Sequence, residues 1–245
     1  MISQKLISTL TNARKIAALT GAGISAESGI PTFRGSGGLW EGYPVEKVAT
    51  PEGFEKDPSL VWRFYDERRV NIANARPNRA HEVLAKMERI YDLWIITQNI
   101  DGLHQRAGNE NVIELHGNIW RVKCTQCGIS YYNYEVPLKK IPPRCKRCGG
   151  LLRPDVVWFG EPVYDVERAY KVAEECDVML VVGTSAQVYP AAYIPRLAWS
   201  HRAKVIEINP NDTPVSRYAD FVIRKKATVA LDEIYRGILE AFPEE

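Results

Sequence analysis

Four of the five cysteines stand in two closely spaced pairs, which suits the binding of a metal ion. Cys124 and Cys127 form the first pair, and Cys145 and Cys148 form the second after 17 intervening residues. Two CxxC turns at this separation are typical of a four-cysteine zinc site, in which each turn presents two thiolates to one tetrahedral ion. Because all four ligand positions are cysteine, no position remains for a catalytic water, and we expect a structural zinc.

Two alternatives concern the same segment. A pair of disulfides is disfavoured, because the cytosol keeps thiols reduced. A zinc ribbon can also bind nucleic acid or protein, and basic residues are concentrated around this one: Lys139, Lys140, Arg144, Lys146, Arg147 and Arg153. However, nucleic-acid binders usually have a basic excess, whereas here 32 Lys and Arg stand against 30 Asp and Glu. We expect no direct nucleic-acid binding and keep the binding module as the non-enzymatic alternative.

A glycine-rich turn near the N-terminus indicates a site for a dinucleotide. Residues 21–26, GAGISA, follow a predicted strand and have the pattern G-x-G-x-x-A. In such a turn the backbone approaches a pyrophosphate closely, and amide groups meet its charge. An ordinary dehydrogenase also places an acidic residue about 20 positions later, at the end of a second strand. Here that position falls in the loop-like GGLWEG of 37–42, so we expect the dinucleotide to be held differently or consumed.

A histidine and a tyrosine–arginine pair are further residues whose types could do chemistry. His116 follows a short apolar segment and precedes a glycine, so it can lie at a strand end beside a cleft. With an ordinary pKa of about 6.5, a histidine can act as a general base near neutral pH. Tyr65 and Arg68 are three residues apart in a predicted helix and share one face. Together they could hold a carboxylate; an ordinary charged helix surface is the alternative.

The elements that must position these residues form an α/β pattern. Short apolar runs predict buried parallel strands at 16–19, 93–96, 178–182 and 205–208. Amphipathic segments predict covering helices at 2–12, 79–90, 165–175 and 229–242. The alternation predicts a Rossmann-like, doubly wound parallel sheet. Cys176, between a helix and a strand, is expected to be a small buried hydrophobe.

Two stretches interrupt this pattern, and we expect both to be inserts in a single domain of 1–245. The core is predicted at 1–34, 75–119 and 154–245, the helical insert at 35–74, and the zinc-binding insert at 120–153. A content of 45% hydrophobic and 25% charged residues excludes a disordered chain. Neither a bilayer-spanning apolar run nor a secretory signal is evident. We therefore expect a cytoplasmic protein with no membrane partner.

Blocks along nearly the whole chain resemble, in order, those of the sirtuins, the NAD-dependent protein-lysine deacylases. Besides the four-cysteine cluster, they are GAGIS at 21–25, SGIPTFR at 28–34, TQNIDGLH at 97–104, ELHG at 114–117, RPDVVWFGE at 153–161, GTS at 183–185 and IN at 208–209. Any one block could arise by chance, but the ordered set is highly specific to the family.

The resemblance implies that NAD is consumed as a co-substrate. The residues implied to bind it are Gly21, Ala22, Gly23, Ala26, Thr32, Phe33, Arg34, Trp40, Gln98, Asn99, Ile100, Asp101, His116, Gly183, Thr184, Ser185, Val188, Asn209, Asn211 and Ala227. Of these, 98–101 would receive nicotinamide, whose carboxamide can pair with Asn and Asp side chains. Asn209 and Asn211 would meet the adenosine, and Ala227 the adenine. His116 and Asn99 are the implied catalytic residues, while His81 and His104 would support packing and the pocket wall.

The resemblance also implies the reaction. The carbonyl oxygen of an acylated lysine would attack the ribose carbon that bears nicotinamide, and His116 would help a ribose hydroxyl attack the resulting imidate. The products would be nicotinamide, free lysine and an acyl-ADP-ribose. Val157, Trp158, Phe159 and Gly160 would pair with an extended substrate peptide. Tyr65 and Arg68 match the Tyr-x-x-Arg subgroup that removes succinyl and malonyl groups, and acetyl-lysine should also fit. Protein mono-ADP-ribosylation is the enzymatic alternative.

Overall fold

The computed structural model describes residues 2–32, 39–40 and 42–242. Its strands are β1 (Lys15–Thr20), β2 (Leu39–Trp40), β3 (Tyr43–Pro44), β4 (Asp92–Thr97), β5 (Val112–Glu114), β6 (Gly117–Cys124), β7 (Ser130–Tyr132), β8 (Leu152–Val156), β9 (Val178–Val182), β10 (Lys204–Ile208) and β11 (Phe221–Ile223). Its α-helices are α1 (Gln4–Thr11), α2 (Ala22–Ser25), α3 (Val45–Val48), α4 (Pro51–Lys56), α5 (Pro58–Asn74), α6 (Arg79–Met87), α7 (Leu103–Ala107), α8 (Val166–Glu175), α9 (Ile194–Ser200) and α10 (Ala227–Ala241).

The main sheet has six parallel strands in the order β11-β10-β9-β1-β4-β5. From β1 the chain builds outward through β4 to β5, and from β9 it builds in the opposite direction through β10 to β11. The strand order therefore reverses between β1 and β9. In open α/β sheets, ligands bind beyond the carboxyl ends of the strands at such a reversal.

Both faces of this sheet are covered, because its strands are apolar at successive positions and not only at alternate ones. Ile16 and Ala18 of β1 pack with α1, α6 and α10 on one face. Ala17 and Leu19 pack with α8 and α9 on the other. The burial of both faces confirms the predicted Rossmann-like, doubly wound sheet.

The two predicted inserts share a second hydrophobic core. A three-stranded antiparallel sheet, β7-β6-β8, lies beside the helical region α3 to α5. Trp62 of α5 is fully buried, and its indole nitrogen donates to the carbonyl of Leu152 on β8 at 2.7 Å. The helical and cysteine-containing regions thus form one body beside the main sheet. The residue limits proposed for core and inserts stay a prediction.

Short elements are the main difference from the sequence expectation. β5 and β11 each contain three residues and complete the two edges of the main sheet, yet their apolar runs are too short to identify. The longer predicted elements occur where expected; β9, for example, spans the same five residues. In the part of the chain that the structure describes, no helix combines the length and the apolar character needed to cross a membrane.

Candidate active site

The turns after β1 and β9 touch each other through glycine. The amide of Gly23 donates to the carbonyl of Gly183 at 2.8 Å. A Cβ on Gly183 would lie 2.5 Å from the backbone nitrogen of Ile24, and Gly183 also has a φ of +61°. A Cβ on Gly21 would lie 2.8 Å from the carbonyl oxygen of Gly183. Larger residues are therefore excluded, and the backbones of the two turns lie in close contact at the strand-order reversal.

The structure describes only some of the other residues predicted for the phosphate loop. Ala22 begins α2 and Ala26 begins the 3-10 turn Ala26–Ser28 immediately after it, so a helical turn directly follows the glycine contact. Thr32 is half-buried where this turn leads away from the sheet. Phe33 and Arg34 lie outside the described residues, and of Trp40 only the backbone, in β2, is described.

A buried hydrogen-bond network joins this loop to the segment after β4. Ser25 donates from Oγ to Asp101 Oδ2 at 2.7 Å, and Asn99 Nδ2 donates to the carbonyl of Gly21 at 2.9 Å. Burial raises the pKa of Asp101. The network holds the predicted nicotinamide residues Asn99 and Asp101 against the glycine turn, with Ile100 half-buried between them.

His81 is the far end of this network. Its Nδ1 accepts from the backbone amide of Asn78 at 3.2 Å, so in the neutral ring the proton is on Nε2. Nε2 faces Ser25 Oγ at 3.4 Å. Burial lowers the pKa of His81 to about 4, which keeps the ring neutral at pH 7. The protons therefore point from His81 to Ser25 and from Ser25 to Asp101.

Sequence reasoning placed Ser25 only within the cofactor loop, without a role of its own, and gave His81 a role in packing and the pocket wall. Ser25 could have been found from its position in the glycine-rich turn, two residues after Gly23. His81 carried no such signal, because 56 residues separate it from Ser25.

A further polar layer supports the end of β4. His104 Nε2 and Thr20 Oγ1 are 2.9 Å apart, and Thr20 donates to Thr97 Oγ1 at 2.8 Å. Thr97 Oγ1 accepts in turn from the backbone amide of Asn99 at 3.1 Å. Gln98 donates from Nε2 to Thr184 Oγ1 at 2.8 Å and so connects the loops after β4 and β9. These bonds fix the backbone of the predicted nicotinamide pocket.

His116 lies between β5 and β6, where the main sheet meets the second body. Its Nδ1 is 2.9 Å from the carbonyl oxygen of Gln98. A carbonyl only accepts, so Nδ1 carries the proton and Nε2 is the basic nitrogen of the neutral ring. Burial lowers the pKa of His116. At neutral pH the ring is thus ready to accept a proton at Nε2.

The segment Val157–Gly160 begins beside this histidine. The amide of Val157 donates to the carbonyl of His116 at 2.9 Å, and the amide of Phe159 donates to the carbonyl of Ala49 at 3.0 Å. Trp158 is buried, whereas 52% of Phe159 is exposed. Gly160 has a φ of +87° with open space around its Cα. The segment is an irregular loop after β8 rather than a buried core strand, the alternative considered for its aromatic pair.

Arg153 does not belong to the exposed basic run in which the sequence placed it. Its guanidinium forms two bonds with the carboxylate of Glu161, at 2.6 and 2.9 Å. It also lies 3.6 Å from the ring centre of Trp158. Glu161 accepts from the amide of Trp158 at 2.8 Å as well. Arg153 is therefore half-buried and holds the loop in place.

Tyr65 and Arg68 are buried on α5, so the alternative of an ordinary charged helix surface is wrong for this pair. The indole nitrogen of Trp158 donates to the Tyr65 hydroxyl at 3.0 Å. The guanidinium of Arg68 lies 5.5 Å from the ring centre of Phe64. Burial raises the pKa of Tyr65 to about 12, so the phenol is neutral. Tyr65 thus contacts the same loop, Val157–Gly160, that is bonded to His116.

The residues predicted for the adenosine lie across the β9 and β10 ends. Asn209 donates from Nδ2 to the carbonyl of Thr184 at 2.8 Å, and its Oδ1 accepts from the amide of Asn211. Ser185 and Val188 are exposed on the loop after β9. Ala227 is buried at the start of α10, which Thr228 ties to Glu27 through a bond of 2.6 Å. The predicted contacts of these residues with a cofactor stay predictions.

The four cysteines converge as a metal site requires. Their sulfur atoms all lie within 4.8 Å of one another, with Cys124 and Cys148 at 3.5 Å and Cys127 and Cys145 at 3.8 Å. Tetrahedral zinc with Zn–S bonds of about 2.3 Å needs sulfur atoms about 3.8 Å apart. The donor set and spacing therefore fit zinc. Cys176 is buried elsewhere, and burial raises the pKa of its thiol to about 12, which excludes a reactive thiolate.

Comparison with known proteins gives a consistent result. The model of the Sir2 family matches residues 21–190. An Aquifex aeolicus protein named NAD-dependent protein deacylase is 54% identical over 230 residues, which are 93% of this chain and 96% of that protein. The Archaeoglobus fulgidus NAD-dependent protein deacylase 1 is 47% identical over 98% of this chain and 99% of its own length. The chain belongs to the Sir2 family.

Solved structures of the family agree over the whole fold. A mutant Sir2 homologue in complex with ADP-ribose has a TM-score of 0.94 at 45% identity, covering 100% of this chain and 99% of that one. A Sir2 homologue in complex with NAD has a TM-score of 0.93 at 46% identity, covering 98% and 95%. A Sir2 complex with a p53 peptide and NAD+ has a TM-score of 0.83 at 33% identity, covering 99% of each chain.

Proposed function

We propose that this protein is an NAD-dependent protein-lysine deacylase. One observation carries the proposal, namely that His116 is bonded to two loops. Its ring Nδ1 donates to the carbonyl of Gln98, which leaves Nε2 as the basic nitrogen, and its backbone carbonyl accepts from the amide of Val157. The histidine thus lies between the predicted NAD loops and the predicted peptide-binding loop. The names of the deacylase relatives, and the NAD and peptide complexes of the similar structures, support the same function.

In the proposed reaction, NAD is the co-substrate. The acyl oxygen of the lysine displaces nicotinamide at the ribose carbon, and the Asn99 and Asp101 pocket receives the carboxamide. His116 Nε2 then accepts the proton of the ribose hydroxyl that attacks the imidate. Water resolves this intermediate to free lysine and an acyl-ADP-ribose. The cysteine cluster would hold one structural zinc, which supplies stability and no step of the reaction.

The position of His116 favours deacylation over protein mono-ADP-ribosylation. A transferase needs no base beside the ribose hydroxyl once nicotinamide has left, nor a loop of Val157 and Trp158 to hold an acyl-lysine stem. The binding-module alternative gives no role to the buried network behind the NAD loops. Cytoplasmic location stays a prediction.

We further propose that succinyl- and malonyl-lysine are substrates alongside acetyl-lysine. The position of this pair supports the proposal. Tyr65 and Arg68 are buried on α5, and Trp158, which donates to the Tyr65 hydroxyl at 3.0 Å, follows Val157, whose amide bonds the carbonyl of His116. A phenol and a guanidinium beside this loop are the groups that would bind an acyl carboxylate.

Mass spectrometry of a lysine peptide, acetylated or succinylated, tests both proposals. Wild-type protein should remove each acyl group only when NAD is present, and His116→Ala should lose both activities. His201→Ala is the matched control, because His201 is exposed at the end of α9. Retention of full activity by His116→Ala would contradict the proposed mechanism.

Arg68→Met separates the acyl proposal from the general one. It should reduce kcat/KM for the succinyl peptide about tenfold or more, since charged hydrogen bonds contribute about 1.5–3 kcal/mol. Acetyl removal should change far less. Equal losses on both peptides would assign Arg68 to packing and refute a carboxylate clamp while leaving the deacylase proposal standing.

A further inference from the structure

A cavity of about 340 Å³ lies beyond the predicted adenosine loops, outside the residues assigned to NAD or acyl-lysine. One wall is formed by the 3-10 turn Ala191–Tyr193 and α9, and the other by the 3-10 turn Pro214–Arg217 after β10. Small-molecule pockets usually have volumes of roughly 300–1,000 Å³. The cavity is thus large enough for one ring system with a charged group.

Four aromatic side chains line this cavity: Tyr189, Tyr193, Trp199 and Tyr218. Trp199 and Tyr218 lie with ring centres 5.8 Å apart, at an angle of 55°. Tyr189 is 74% exposed and Trp199 is 47% exposed, so ring faces remain in contact with water. Several exposed rings around one concavity suit the stacking of a planar ligand.

The charge of the cavity is positive. Arg196 and Arg217 line it, and no lining residue is acidic. Within the described ranges, neither guanidinium has a carboxylate oxygen within 4.0 Å, whereas the neighbouring Arg224 forms ion pairs with Glu207 and Asp212. Two such guanidinium groups can bind a phosphate through several charged hydrogen bonds.

The wall that carries Arg217 is fixed from behind. Glu207 of β10 is 1% exposed and accepts from Ser216 at 2.6 Å, from Arg224 at 3.0 Å, and from Thr213. Thr213 also caps the turn by accepting from the amide of Val215 at 3.1 Å. The turn is therefore held in place without a ligand, and a preformed wall reduces the entropy that binding must overcome.

We propose that this cavity binds a mononucleotide, with its base against the aromatic rings and its phosphate between Arg196 and Arg217. A free phosphate would leave the rings unused, and a neutral ring would leave the two cations unused. The volume fits one nucleotide rather than a dinucleotide. None of the cavity's lining residues belongs to the set assigned to NAD, and the proposal does not depend on the proposed deacylase function.

The test follows the indole N–H resonance of Trp199 in protein whose NAD cleft is saturated with ADP-ribose. Trp199→Phe identifies the resonance. AMP should shift it in a saturable manner, and both adenosine and ribose 5-phosphate should bind more weakly than AMP. Arg196→Gln/Arg217→Gln should weaken AMP binding about tenfold or more, as expected for lost charged hydrogen bonds.

Arg14→Gln/Arg89→Gln is the matched control, because it removes the same charge from exposed positions that do not line the cavity. An unshifted resonance at millimolar AMP would overturn the proposal. Equal weakening in the control pair would also overturn it, by showing general charge attraction only. A short single-stranded oligonucleotide that binds far more tightly than AMP would assign the surface to nucleic acid instead.

Discussion

Two regions of the candidate site hold their polar groups by different means. We call the glycine turns with residues 98–101 the NAD side, and α5 with the loop 157–160 the acyl side. On the predicted NAD side, a chain of hydrogen bonds runs from the neutral ring of His81 through Ser25 to Asp101, and the glycine turns fix the spacing. On the acyl side, a cation lies against a ring, as Arg153 lies over Trp158. One side thus depends on backbone approach and the other on charged side chains. Because the two sides depend on different interactions, we expect that each can be disrupted separately.

Removing the metal should have the largest effect, and it should fall on the acyl side. The first cysteine turn lies at the end of β6, which begins directly after His116. The second cysteine turn precedes β8, which ends directly before Val157. Structural zinc supplies about 10–16 kcal/mol of binding free energy in zinc-finger peptides. Chelation should therefore abolish turnover of acylated peptide while far-UV circular dichroism shows that the helical core remains. Added zinc should restore activity.

Cys176→Ser is the control for this experiment, because Cys176 lies away from the cluster. It should leave the zinc content unchanged, whereas Cys145→Ser should lower it. Full turnover in protein without detectable metal would contradict a structural role for zinc on the acyl side.

A comparison of two glycines should give the next largest effect, on the NAD side. Gly183 and Gly108 both have positive φ, but a Cβ would meet backbone only at Gly183. Gly108→Ala should reduce the free energy of unfolding by about 1–2 kcal/mol, the cost of the left-handed conformation. Gly183→Ala should cost about 2–5 kcal/mol because about 1–3 kcal/mol of overpacking is added, and NAD binding should be lost. Urea unfolding and calorimetric NAD titration measure both; similar losses in the two variants would refute the close contact.

Acid should weaken the NAD side through its neutral histidines. The folded-state pKa of His81 is about 4, below the unfolded value of 6.5. The unfolded state therefore binds more protons between these values. The stabilisation is complete above about pH 6.5 and is lost as the pH falls toward 4, by about 3 kcal/mol in total.

Guanidinium unfolding at pH 7 and at pH 4.5 measures this dependence. His81→Gln should lose less stability over that interval than wild type, and His201→Gln should follow wild type. Parallel losses in all three proteins would contradict a buried neutral His81.

Trp158→Phe should have the smallest effect and is specific to the acyl side. It keeps a ring under Arg153 but removes the donor to Tyr65. The loss of about 1 kcal/mol expected for one hydrogen bond corresponds to roughly a fivefold fall in succinyl kcat/KM. In a Tyr65→Phe background the same change should have little further effect. Equal effects in both backgrounds would show that Trp158 does not act through its hydrogen bond to Tyr65.

The sequence predicted the parts of the fold that depend on local pattern. The buried strand at 178–182 and the helix of Tyr65 were found because a continuous apolar run and a long helical segment are local signals. The predicted cysteine cluster converges in the structure, since two CxxC turns largely specify their own geometry. β5 and β11 were missed because three residues carry too little pattern.

What the sequence left out depends on long-range contacts. His81 meets Ser25 only because α6 packs beside the glycine turn, and no spacing in the chain announces that contact. Arg153 seemed part of an exposed basic run because its partner Glu161 is reached only when the loop folds back over Trp158. The shared core of the two inserts, in which Trp62 bonds Leu152, is hidden for the same reason.

The stoichiometry of products tests the proposed division of the cleft most directly. Acylated peptide and NAD are incubated with the protein, and nicotinamide, free-lysine peptide and acyl-ADP-ribose are quantified by mass spectrometry in one time course. We predict equal amounts of the three products at every time point, because each cleavage of NAD is coupled to the transfer of one acyl group from lysine to ADP-ribose. Nicotinamide released with ADP-ribose attached to the peptide, while the acyl group remains on lysine, would contradict deacylation and assign a transferase.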